Sequence, residues 1–151
     1  MTLREQIIAD LKDAMRSGNT SKRDTLRMLD SAIKNREIEK RKRETGLDEE
    51  EILEVVSRSV KQHIDSIKQF EQGGRPELAE REKVELEILQ AYLPKQMSQE
   101  EVAAVVKQMI DRLGATSASE MGKVMGSVMA ELKGKADGNV VRELVAKKLG
   151  K

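Results

Sequence analysis

The sequence predicts an all-α protein, with an N-terminal bundle of long helices followed by a small three-helix tail domain. Three observations predict it. Apolar residues recur every three or four positions throughout the 151 residues, the spacing of one helix face. No segment keeps the apolar–polar alternation of a half-buried strand. Aromatic residues are confined to Phe70 and Tyr92, so the core must come from Leu, Ile, Val and Met, which interlock between helices.

Each predicted element has its own signal. The first helix runs from about Thr2 to Ser17, with Leu3, Ile7, Leu11 and Met15 four residues apart. Gly18-Asn19 stops it, and Ser21 can cap the second helix. That helix carries Leu26, Leu29 and Ile33, turns very polar from Lys34 to Glu44, and ends at Gly46. Asp48 followed by Glu51 reads as a capping box opening the third, whose stripe runs from Ile52 through Val55, Val56, Val60, His63, Ile64 and Ile67 to Phe70. Gly73-Gly74-Arg75-Pro76 breaks the chain, and Pro76 suits the first turn of a helix. The fourth helix spans Leu78 to Leu93 and Pro94 closes it. Ser98 with Glu101 opens the fifth, carrying Val102, Val105, Val106, Met109, Ile110 and Leu113 up to Gly114. Ser119 starts the sixth, which ends at Gly134, and Asp137 caps the seventh, running to Leu149.

These signals divide the chain into an N-terminal helical domain, 1–93, a linker, 94–97, and a tail domain, 98–151. Residues 1–97 carry 19 basic and 20 acidic side chains, and residues 98–151 carry 9 and 7. The respective charges of −1 and +2 make up the net +1 of the chain. A tail of 54 residues is small for a single core.

Composition excludes several classes of function. Charged residues at 36% leave no room for a membrane span, so no membrane partner is expected. The absence of cysteine removes disulfides, thiolate metal sites and cysteine nucleophiles together. One histidine, His63, cannot build a histidine cluster, and its place on an apolar stripe reads as a packed residue; no metal and no cofactor are expected. Met1 leads straight into a helix start without an apolar signal core, so a reducing cytoplasm is the expected compartment. No phosphate loop and no Gly-x-Ser-x-Gly occur, and no carboxylate pair has apolar flanks that would raise a pKa. The expectation is a protein that is not an enzyme.

Function is concentrated in the tail. Gly122, Gly126 and Ala130 fall on one face of the sixth helix. Each interior glycine costs about 1 kcal/mol relative to alanine, and a close backbone is the usual compensation. That backbone can belong to a neighbouring helix of the bundle, to a nucleic acid, or to a partner protein's helix, with the methionines adapting to it. Ser119, Lys123 and Ser127 share the adjacent stripe, placing hydroxyls and a cation at phosphate height. Lys133-Gly134-Lys135-Ala136-Asp137-Gly138 follows: Gly134 suits a left-handed C-cap, and Lys135 precedes a helix N-terminus that favours anions. Asp137, however, brings its own negative charge to that N-terminus as a cap. Arg142, Lys147 and Lys148 add cations on the last helix. The basic run Lys34–Arg43, diluted by Glu37 and Glu39, reads as a solvated helix end with a secondary RNA contact as the lesser alternative.

Three segments in order carry a resemblance: Leu89-Gln90-Ala91-Tyr92-Leu93-Pro94-Lys95-Gln96-Met97-Ser98, then Glu120-Met121-Gly122-Lys123-Val124-Met125-Gly126, then Lys133 to Gly138. Together they resemble the GatB/YqeY family over essentially the whole chain. The resemblance implies a helical domain joined to a tail domain, as in the free-standing bacterial members and in the C-terminal part of the B subunit of glutamine-dependent aminoacyl-tRNA amidotransferase. In that subunit these domains help hold tRNA, while a kinase-like cradle performs ATP-dependent activation. The cradle is missing here, so carbon–nitrogen ligase activity is implied by family resemblance alone. By matching position, tRNA contact transfers to Gly122, Lys123, Gly126, Gly134 and Lys135. The subunit's tail tends to have Asn-Pro where this chain has Asp137-Gly138. The expected partner is tRNA or another structured RNA, bound through its backbone by a non-catalytic accessory protein; the alternative is a protein partner on the Gly122/Gly126 face.

Overall fold

The computed structural model describes residues 1–132 and 134–150. It is all-α, with seven helices among these residues. The chain divides into two compact units, Met1–Leu93 and Pro94–Lys151.

The first unit holds α1 (Leu3–Ser17), α2 (Thr20–Glu39), α3 (Glu49–Gln72) and α4 (Pro76–Gln90). Ile7, Leu26, Leu29, Ile33, Ile52, Val56, Leu89 and Tyr92 form its buried core. The most extensive helix pair in the molecule is α3 against α4. Helix starts follow local chemistry. Thr2 and Glu5 satisfy each other's backbone N–H at 3.1 and 3.0 Å, and Asp48 and Glu51 do the same at 2.8 and 3.1 Å. Asn19, rather than Ser21, caps α2: its Oδ1 accepts from the Lys22 N–H at 3.1 Å. Gly18 ends α1 in the left-handed region, which leaves Asn19 next in line for the cap.

The polar end of α2 departs from the sequence expectation. The helix stops at Glu39, not Glu44, because Arg41 adopts φ 56°. The Arg41 N–H donates to the Ile38 carbonyl and the Lys42 N–H to the Glu37 carbonyl, the paired return bonds of a Schellman close. A non-glycine residue in this conformation costs about 1–2 kcal/mol, so something must hold it. The flanking lysines do: Lys40 Nζ and Lys42 Nζ lie 2.6 and 2.7 Å from the carboxylate of Glu51, which is buried in the first turn of α3. Donation from Lys40, then Lys42, then the Asp48 N–H holds the Glu51 carboxyl down at about 2. At the far end of the unit, α4 begins two residues early, with Pro76 in its first turn. Beyond it, the Tyr92 hydroxyl donates to Asp10 Oδ2 at 2.6 Å, and burial together with that carboxylate pushes the phenol pKa up.

The second unit holds α5 (Gln99–Leu113), α6 (Met121–Leu132) and α7 (Gly138–Leu149), each packed on the other two. Every helix supplies one buried stripe: Val102, Val106 and Met109; Val124, Val128 and Leu132; Val141, Val145 and Leu149. Met121, Met125 and Met129 pack partly buried against this core. Residues 94–97 belong to the same unit. The Met97 N–H donates to the Lys135 carbonyl at 2.9 Å, and Gln96 Nε2 donates to the Gly134 carbonyl at 2.7 Å. No helix among the described residues is long and apolar enough to cross a membrane.

Candidate nucleic-acid interface

The register of α6 is set by its buried stripe, and everything else on the helix follows from it. Val124 and Val128 are fully buried, and Gly122 and Gly126 sit two residues earlier, about 200° around the helix. The glycine face therefore points away from the core, and Gly122, Gly126 and Ala130 are exposed. A methyl group placed on Gly122 or Gly126 would meet no atom within 4 Å. A neighbouring bundle helix as the reason for these glycines is thereby corrected: the face is bare.

Lys123 is exposed and Ser127 half-buried on the adjacent stripe. Ser119 does not extend that stripe. It lies in a 3₁₀ turn, Ala118–Glu120, where three residues complete a turn and the α-helical register is lost. Its hydroxyl is 2.7 Å from that of Ser117, while the Thr116 N–H donates to Glu120 Oε2 at 2.7 Å.

The turn between α6 and α7 carries the second group. Lys133 lies outside the described residues. Gly134 has φ 75°, the left-handed C-cap geometry that glycine adopts without penalty. Lys135 is exposed, and its backbone carbonyl is tied to Met97. Asp137 caps α7, its Oδ1 accepting from the Asn139 N–H at 2.9 Å, so a carboxylate already complements the positive end of that helix. Gly138 lies close to α6, where a methyl group would touch Met129 Cε at 3.8 Å.

These cations do not converge on one point. Lys123 stands in the first turn of α6 and Lys135 beyond its last, about 14 Å away or more at 1.5 Å per residue. Arg142 is mid-way along α7, and Lys147 and Lys148 occupy its last turn. All five are exposed, and none forms an ion pair with another described residue. The arrangement is a dispersed set of exposed cations on the second unit, of which Lys123 adjoins the open helix face, and such a set can meet a phosphate backbone at several places without reading bases.

In the basic run of the first unit four of six cations are paired, while Arg41 and Arg43 are exposed with no ion pair among the described residues. Lys34 pairs with Asp30 at 3.0 Å, Arg36 with Glu39 at 2.9 Å, and Lys40 and Lys42 with Glu51. Sequence reading missed Glu51 as the organiser of this region, because its partners lie 11 and 9 residues upstream. It also missed Gln96 and Met97 as supports of the Gly134–Lys135 turn. The one legible signal was their place in the Leu89–Ser98 segment.

Comparison with known proteins gives a consistent picture. The chain is 35% identical over 109 residues to a protein of Eremothecium gossypii named "Altered inheritance of mitochondria protein 41, mitochondrial", the match covering 71% of this chain and 58% of the relative. Proteins of the same name in Lachancea thermotolerans and Saccharomyces cerevisiae are 35% and 32% identical, over 73% and 74% of this chain and 59% and 60% of the relatives. The chain thus spans less than two thirds of the length of these relatives. Their names overturn the expectation of a bacterial and generically cytoplasmic protein, since the relatives are fungal and are named as mitochondrial. Those names designate no enzyme. The family model described as Yqey-like protein matches residues 4–149, and the chain belongs to the YqeY-like family.

Proposed function

We propose that this protein is a non-catalytic accessory factor whose second unit binds structured RNA, with tRNA the species favoured by the family resemblance. One observation carries the reading: Lys123, Lys135, Arg142, Lys147 and Lys148 are exposed and form no ion pair with another described residue, and Lys123 adjoins a glycine face on which an added methyl would meet nothing. These cations stand ready for phosphates, and the absent side chains at Gly122 and Gly126 let a sugar-phosphate backbone come close.

A partner helix on the same face has weaker support. The large apolar side chains that stand exposed, among them Met15, Met28, Ile38 and Val84, belong to the first unit. The methionines of α6 are spent on its own core. A protein partner on the Gly122/Gly126 face would find backbone and cations, with little apolar surface to bury.

The test is tRNA binding by the full chain and by Lys123→Glu/Lys135→Glu at two salt concentrations. Wild-type affinity is expected to fall steeply with salt. The double variant should bind more weakly, with a log–log salt slope shallower by about 2. Equal affinity and equal slope in both proteins would remove the second unit from RNA binding.

A further inference from the structure

The packing of α3 against α4 places His63 opposite two carboxylates. Glu82 and Glu85 are three residues apart on α4 and so project from one face of it. His63 Nε2 lies 3.2 Å from Glu85 Oε2 and 3.5 Å from Glu82 Oε2. The three ligand atoms lie within 4.8 Å of one another. All three side chains are sheltered, at 15%, 24% and 17% exposure.

The other ring nitrogen fixes the chemistry. His63 Nδ1 is 2.8 Å from the Ser59 carbonyl, which can only accept, so Nδ1 carries a hydrogen and donates it. Nε2 is then the ring atom that faces the two carboxylate oxygens. Two carboxylates and a ring nitrogen facing one another call for a cation between them, a proton on Nε2 or a metal ion. An imidazole whose Nδ1–H is held by a backbone carbonyl is oriented as a metal-bound histidine is. The spacing also fits. With ligands about 2.0–2.1 Å from a tetrahedral ion, neighbouring ligand atoms stand about 3.4 Å apart, close to both His63–carboxylate distances.

We propose that His63, Glu82 and Glu85 bind one divalent first-row transition ion that ties α3 to α4, with water completing its coordination. One imidazole and two carboxylates are borderline-hard donors that suit Zn²⁺ and exclude a preference for soft Cu(I). Binding the folded state alone, the ion stabilises the first unit by mass action.

The experiment uses the full chain, freed of metal by chelation and titrated with Zn²⁺. His63 is the only histidine in the chain, so its two ring ¹⁵N resonances need no assignment among others. The expected result is one Zn²⁺ per chain by equilibrium dialysis, a shift of the Nε2 resonance to the metal-bound position, and a rise in Tm. Glu82→Gln/Glu85→Gln keeps shape and hydrogen bonding while removing both charges, and should weaken binding at least about tenfold. Glu71→Gln, which touches only the neighbouring Lys83 pair, should leave it unchanged. The single substitution Glu82→Gln serves as a milder variant if the double one loses helicity. An Nε2 resonance that stays that of an imidazolium in the presence of Zn²⁺ would overturn the proposal. So would equal Zn²⁺ binding by wild type and the double variant: the first outcome assigns the cation to a proton, the second places the metal elsewhere.

Discussion

In the first unit Lys34, Arg36, Lys40, Lys42 and Lys83 each lie within 3.1 Å of a carboxylate. In the second, Lys123, Lys135, Arg142, Lys147 and Lys148 have no such partner among the described residues. The two units have comparable apolar cores and similar helix caps, so the difference is not one of fold quality. Some charges of the first unit help to build it, as when Glu51 holds the strained turn at Arg41 through Lys40 and Lys42, although Arg41 and Arg43 themselves stand exposed with no ion pair among the described residues. In the second unit Lys147 and Lys148 complement the last turn of α7, while Gly126 in the interior of α6 weakens that helix.

The largest expected effect concerns what the two units share. Leu26→Ala in the first core and Leu132→Ala in the second, at residues 0% and 2% exposed, should each cost about 2–5 kcal/mol in their own unit. Amide exchange read separately over α1–α4 and α5–α7 checks it. A cost far below this range in the second unit would mean that its core is loosely packed, and the comparison would then be one of fold quality after all.

Acid should separate the units next. The Glu51 carboxyl is held at about 2, against an ordinary value near 4.5. Its folded form is favoured when ionised, so this contribution is complete above about 4.5 and is lost as pH falls toward about 2. Denaturant unfolding of the first unit between pH 5 and pH 2 should therefore show a decline that Glu51→Gln reduces, with Asp30, also held below its ordinary value, contributing to the remainder. An unchanged decline in that variant would show that Lys40 and Lys42 do not depend on Glu51 for their hold on the Arg41 turn.

The smallest effect is the most discriminating. Gly126→Ala meets no atom within 4 Å, and its backbone lies in ordinary helix. The change should stabilise the second unit by about 0.5–1 kcal/mol. Tight RNA binding should weaken at the same time, since the added methyl stands where the backbone would approach. A variant that is both more stable and unimpaired in RNA binding would show the glycine face to be idle. A destabilised variant would show that the face is not open.

Much of this molecule was legible before its tertiary structure. Asp48, Ser98 and Asp137 were readable as caps, Gly18 and Gly114 as stops, and the buried stripes of α3 and α5 as helix faces. Each depends on residues within three or four positions of one another, the reach of a helical turn. The end of α2 was not legible, because Glu51 decides it from the next helix. The start of α6 was not, because a 3₁₀ turn rather than an α turn carries Ser119, and the sequence pattern is the same for both until the register is seen.

The sequence by itself therefore determined that the chain is helical, where most helices begin and end, and which side chains turn inward. Those choices rest on backbone hydrogen bonds and apolar periodicity, which are local. Only the tertiary structure decided that Gly122 and Gly126 are open among the described residues, that Lys40 and Lys42 are held by Glu51, and that His63 meets Glu82 and Glu85. Two of these depend on how one helix lies across another. Spacing along α6 puts the glycines opposite its buried stripe, but only the structure shows that no other described residue lies across that face.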